Sequence, residues 1–171
     1  MDATCRPMTA ADFDAVCELH VRAWQAAYRG IVPQDFLDAM DPAERARRAR
    51  GGDLAGQHVA EAGGEIVGWL ALGPYRSEDD GPDAPAPGSG EVEAIYARLD
   101  RVGTGIGRAL MAYGLAELDR AGLRPVLLWV LTDNARARRF YEAAGFRPDG
   151  TTHTYEVGGA TLPEVRYRRD G

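Results

Sequence analysis

The sequence predicts an α+β fold in three layers, a mixed central β-sheet with helices on both faces. Three observations carry that prediction. The strand-like run "EVEAIYA" passes through the glycine-rich "RVGTGIGRAL" into a helix-forming stretch, and the uninterrupted apolar run "PVLLWVL" follows, which is the order of a βαβ unit. Apolar strands flank Gly63-Gly64 as in a hairpin, so antiparallel pairs accompany the parallel one. Amphipathic helical spacing recurs before and after these strands, and one helical layer on each side of the sheet is the simplest packing. At 171 residues, the whole span 1–171 is expected to form a single domain with its own core.

Taken in order, residues 9–28 place Phe13, Val16, Cys17, His20, Trp24, Ala27 and Tyr28 at helical spacing, with Thr9 as cap. His20 and Trp24 fall on the apolar side, where core packing explains them. In "DPAERARRAR", Asp41 as cap, Pro42 at the first position and Glu44 three residues after the cap mark a second helix start. The hairpin "QHVAEAGGEIVGWLALG" comes next, then "PYRSEDDGPDAPAPGSG", which has almost nothing to bury and reads as a long mobile connection. Beyond the glycine turn, Ile106, Leu110, Met111, Tyr113 and Leu118 give a helix with a broad apolar face, closed by Gly122. A short helix over 134–144 ends at Gly145, and "THTYEVG" and "EVRYRR" supply two further strands.

Composition excludes several classes. Apolar residues at 45% and charged residues at 27% do not describe a disordered chain. A formal charge of −6 argues against a broad nucleic-acid surface while permitting a local basic pocket. All 20 basic residues are arginine. Cys5 and Cys17 form no CxxC, and His20, His58 and His153 are scattered, so neither a disulfide framework nor a metal site is expected. No apolar run approaches the ~20 residues of a membrane span, and no secretory leader precedes the first helix; a cytoplasmic protein, monomeric or homodimeric, is the expectation.

The glycine turn poses the chemical question. A strand that enters a helix through glycines presents unpaired backbone N–H groups and the positive end of the helix dipole, which suits phosphate. The dinucleotide pattern GxGxx(G/A) is not met, because Gly103-Thr104-Gly105 leads to Arg108 and Gly105-Ile106-Gly107 leads to Leu110. A triphosphate loop fails for want of GK(S/T).

Read as a unit, "IYARLDRVGTGIGRALMAYGL", the buried strand and "WVLTDNARARRFYEAAGFRPDG" resemble the acetyl-coenzyme A site of the GNAT family of N-acetyltransferases. The likeness is most specific over residues 91–150 and extends in element order over most of the chain. The family turn (Q/R)xxGx(G/A) falls on Val102, Gly103, Thr104, Gly105, Ile106 and Gly107, with Val102 departing from the Gln/Arg position and Arg108 following it. The resemblance implies acetyl-CoA as cosubstrate, with no metal. It implies that pantetheine lies beside the strand at Ile95 and Ala97, that Asn134 and Ala137 meet the cofactor, and that Tyr141 protonates the departing thiolate. Asn134 serves equally as a helix cap and Tyr141 as a core aromatic.

An ammonium has no lone pair, so transfer to an amine needs a base. Counted from the turn, Glu91 falls on the family's frequent glutamate base; Glu93, two residues on and on the same strand face, is the alternative. The expected reaction is direct attack of a primary amine, from a small molecule or a peptide, on the thioester. Neither cysteine is placed for an acyl-enzyme. A non-catalytic acyl-CoA sensor would keep the turn and Asn134 but has no use for Glu91 and Tyr141 together. For the acceptor, location alone nominates Trp24, Tyr28, Phe36 and Tyr155.

Overall fold

The computed structural model describes residues 3–76 and 87–171. The greater part of the acidic, proline-rich connection expected to be mobile, residues 77–86, lies outside the described residues. A seven-stranded mixed sheet runs through the fold in the order β1-β2-β3-β4-β5-β7-β6. Its strands are β1 (Thr4–Pro7), β2 (Gln57–Ala62), β3 (Glu65–Pro74), β4 (Gly90–Ala97), β5 (Val126–Leu131), β6 (Arg147–Val157) and β7 (Ala160–Arg169). The helices are α1 (Phe13–Ala27), α2 (Gln34–Asp38), α3 (Pro42–Ala49), α4 (Ile106–Arg120) and α5 (Ala135–Ala143).

Local signals explain most boundaries. Thr9 and Asp12 form a capping box ahead of a 3-10 turn that opens α1. Asp41 accepts from the Ala43 amide at 2.8 Å with Pro42 at the first turn of α3, while Glu44 pairs with Arg47 and Arg48 on the exposed face. The β2–β3 hairpin turns at Gly63 and Gly64, with φ of 62° and 81°, as a primed two-residue turn requires.

Two cores hold the layers. On one face α4 and α5 cover the sheet, with Leu110, Met111 and Leu118 against Leu70, Leu72, Val92, Val126 and Leu128. On the other, α1 packs Val16 and Leu19 against Val59, Trp69 and Ala71, and Leu37 of α2 meets Leu131 and Val157. Gly68 sets how closely α4 approaches β3: a Cβ there would lie 2.6 Å from Leu110 Cδ1 and 2.9 Å from Ile106 Cγ2. That contact holds the first turns of α4 close against β3.

Candidate active site

β4 and β5 pair in parallel only at Gly90 with Val126 and at Glu91 with Leu127. Beyond that point β4 continues to Ala97 and β5 to Leu131 unpaired with each other, so the sheet is forked. The Arg98 amide donates to Val67 O on β3 at 2.9 Å. By strand alternation the amides of Ile95 and Ala97 then face away from β3, into the fork. Their side chains pack toward α4, leaving backbone to line the gap.

A cavity of about 600 Å³ occupies the fork and is lined by residues from both faces of the sheet. Val102, Gly103, Gly105, Gly107 and Arg108 line its rim at the start of α4, and Asn134, Ala137 and Tyr141 line the side formed by α5. Two turn positions serve otherwise. Thr104 Oγ1 closes the turn by donating to Arg101 O at 2.6 Å, and the Ile106 side chain is buried in the core. Gly105 sits at φ 101° as the N-cap of α4, a conformation that only glycine adopts without strain. The first-turn amides that follow have no partners within the helix. Arg101 lines the same cavity, and its Nε lies 3.5 Å from Asp100 Oδ2 in an ion pair.

Asn134 caps α5 by accepting from the Ala137 amide at 3.1 Å, and it also lines the cavity. Tyr141 packs edge-on against Phe140, Phe146 and Tyr167 and lines the cavity. Its hydroxyl has no hydrogen-bond partner among the described residues, and burial pushes its pKa up, keeping the phenol protonated.

Glu91 stands at the apex of the fork, where its Oε2 accepts from the Arg76 amide at 3.4 Å. Glu93 is the extra residue of a β-bulge, because Leu72 pairs with Val92 while Ala71 pairs with Ala94. Its Oε1 lies over Gly73, the register partner of Glu91, so the two glutamates share one face. Glu93 is engaged by Arg76 Nη2 at 2.6 Å, and both glutamates line the cavity.

Across the fork from α5, α1 supplies Trp24 and Tyr28. The Trp24 indole donates to Tyr96 Oη at 2.9 Å, and Tyr28 and Tyr96 hydroxyls lie 3.3 Å apart. Tyr96, on β4, was not among the expected site residues. Its place in "EAIYA" reads as an ordinary inward-facing strand aromatic. Burial raises its pKa well above the usual phenol value. Phe36 and Tyr155 are exposed beside this chamber, and Tyr155 lines it. His20 is buried among Trp24, Trp69 and Tyr96, a core residue as its position suggested; burial lowers its pKa to about 3. No group of three or more metal-ligating side chains occurs among the described residues, and no helix there is long and apolar enough to cross a membrane.

A mixed sheet forked between two parallel strands, with a glycine turn feeding a helix behind it, is the acyl-CoA N-acyltransferase fold. Comparison with known proteins agrees. A model of the acetyltransferase (GNAT) family matches residues 13–146. The chain is 32% identical over 164 residues to the uncharacterized N-acetyltransferase YuaI of Bacillus subtilis, covering 95% of this chain and 90% of that one. The PaiA N-acetyltransferase of Thermoplasma acidophilum, solved in complex with coenzyme A, superimposes with a TM-score of 0.77 at 15% identity over 100% of both chains. YncA of Salmonella typhimurium, solved with acetyl-CoA, gives a TM-score of 0.71 at 21% identity over 99% of this chain and 94% of that one. This chain belongs to the GNAT acetyltransferase family.

Proposed function

We propose that the protein transfers the acetyl group of acetyl-CoA directly to a primary amine of a small molecule or peptide. The observation that carries this reading is the fork: one cavity joins the glycine turn, the Tyr141 hydroxyl and the Glu91 apex to an aromatic chamber on the opposite face of the sheet. The residues fit the cosubstrate. Inward-facing strand amides suit an extended pantetheine, and the amides opening α4, with Arg101 and Arg108 beside them, suit a pyrophosphate. When bound, acetyl-CoA supplies a thioester carbon open to attack by a neutral amine.

The chain's own groups do the rest. The turn Gly103–Gly107 and Arg108 hold the anion, Ile95 and Ala97 hold the pantetheine arm, and Asn134 and Ala137 flank it. Glu91 takes a proton from the acceptor ammonium, directly or through water, which frees the nitrogen lone pair. Tyr141 gives its proton to sulfur as the C–S bond breaks, and the proton released from the newly acetylated nitrogen restores the phenol. Trp24 and Tyr28 wall the acceptor approach.

The test is to titrate the protein with acetyl-CoA and follow free thiol with and without a panel of amines. Thiol release that depends on the amine supports the enzyme. Tight binding with no release in any mixture would favour a non-catalytic acyl-CoA sensor.

A further inference from the structure

Glu164 lies at the acceptor end of the same cavity, and nothing in the transfer chemistry uses it. Its side chain is only 14% exposed, and its Oε2 lies 2.8 Å from His153 Nε2 across the β6–β7 pairing. His153 is itself held by stacking on Trp129 at 4.1 Å. Register places Glu164 opposite Leu131, and Arg166 opposite Trp129, on the sheet face that α1 and α2 cover. The nearby cation Arg166 is committed elsewhere: Nε donates to Asp149 at 2.6 Å and Nη2 to Thr151 at 2.8 Å. Tyr28, Tyr155 and Trp129 line the cavity with it. Burial, and after it the Glu164 charge, push the Tyr155 hydroxyl up.

We infer that Glu164, oriented by His153, anchors a second cationic group of the acceptor, so that the favoured acceptors carry a positive charge besides the amine that is acetylated. The inference rests on the proposed transferase reading. Position argues for a second group rather than the reacting amine. Glu91, at the fork apex, is level with Leu127, whereas Glu164 is level with Leu131, four residues further along β5, or ~13 Å at strand rise. Glu164 also stands on β7, a further strand spacing beyond β5. Chemistry argues for a cation. A carboxylate withdrawn from water among aromatic faces is costly unless a positive charge meets it, and those faces also attract one. Burial accordingly pushes Glu164 up to about 7, a penalty that a bound ammonium would relieve.

The probes are hexanediamine, hexylamine and aminohexanol, which share one chain and differ in the second end group. Calorimetry on the coenzyme A-loaded protein should show hexanediamine binding at least about tenfold more tightly than either of the others, the scale of a charge-assisted contact. Glu164→Gln should bring that ratio close to one. Equal binding of the three by the unaltered protein, or a ratio unchanged in Glu164→Gln, overturns the inference, and the first of these needs no variant at all. Thiol release is followed in parallel. A protein that prefers hexanediamine in binding but acetylates none of the three would keep this inference while counting against the transferase reading.

Discussion

Glu91 on β4 faces Leu127 on β5 in the last parallel pairing before the two strands part. That pairing puts a carboxylate at the apex of the gap. If Glu91 is the base, Glu91→Gln should depress turnover most near neutral pH, where an alkyl amine of pKa about 10.4 is almost wholly protonated. The deficit should shrink as rising pH frees the amine. Rates equal to the unaltered protein across the pH range would pass the role to Glu93 or to water.

Tyr141 is the proposed proton donor to sulfur on the α5 side. Tyr141→Phe should lower kcat by about tenfold, a modest loss because a thiol of pKa about 8.5 departs tolerably as thiolate, and alkali should not restore it. Affinity for acetyl-CoA in calorimetry should hold. A kcat that stays level would remove the phenol from the chemistry.

The turn makes a sharper test of binding. Gly105→Asp forces an L-residue into φ 101° and brings negative charge to the proposed anion site, so acetyl-CoA affinity should fall by at least about tenfold. Val102→Arg restores the family residue at a position that is 37% exposed, and should strengthen binding on the ~1 kcal/mol scale of an exposed charge-assisted contact. An unchanged affinity for Gly105→Asp would take the turn out of the cofactor site.

His20 gives a stability prediction. Its folded pKa of about 3 lies below the ordinary value of 6.5, so between those pH values the unfolded chain binds more protons and stability falls as pH falls. Above pH 6.5 this contribution is flat. His20→Phe should remove up to ~1.4 kcal/mol per pH unit from the slope of urea-unfolding free energy over that window. The same slope in both proteins would contradict a neutral, buried imidazole.

How much of this was legible in the sequence depends on the range of the interaction. Local devices read directly: the Asp41 cap, the Gly63-Gly64 turn, the Asn134 cap and the glycine-rich start of α4 each act within a few residues. β1 and α2 were missed because "TCRP" has no alternation and contains proline, and "QDFLD" is too short to show a period. The bulge at Glu93 and the pairing of His153 with Glu164 depend on strand register, which distant contacts decide. Tyr96 gains its meaning from Trp24, 72 residues away. The resemblance and location along the chain therefore nominated residues for both rims of the cavity, whereas Tyr96 and Glu164 joined the candidates only once the sheet was assembled.

Mass spectrometry of a single-turnover mixture tests direct acetyl transfer through the fork most directly. With acetyl-CoA and a reactive amine, one acetylated amine should appear for each free coenzyme A, and the protein mass should stay unmodified throughout. An acetylated protein that forms before the product, or coenzyme A released at the same rate with no amine present, would contradict the account.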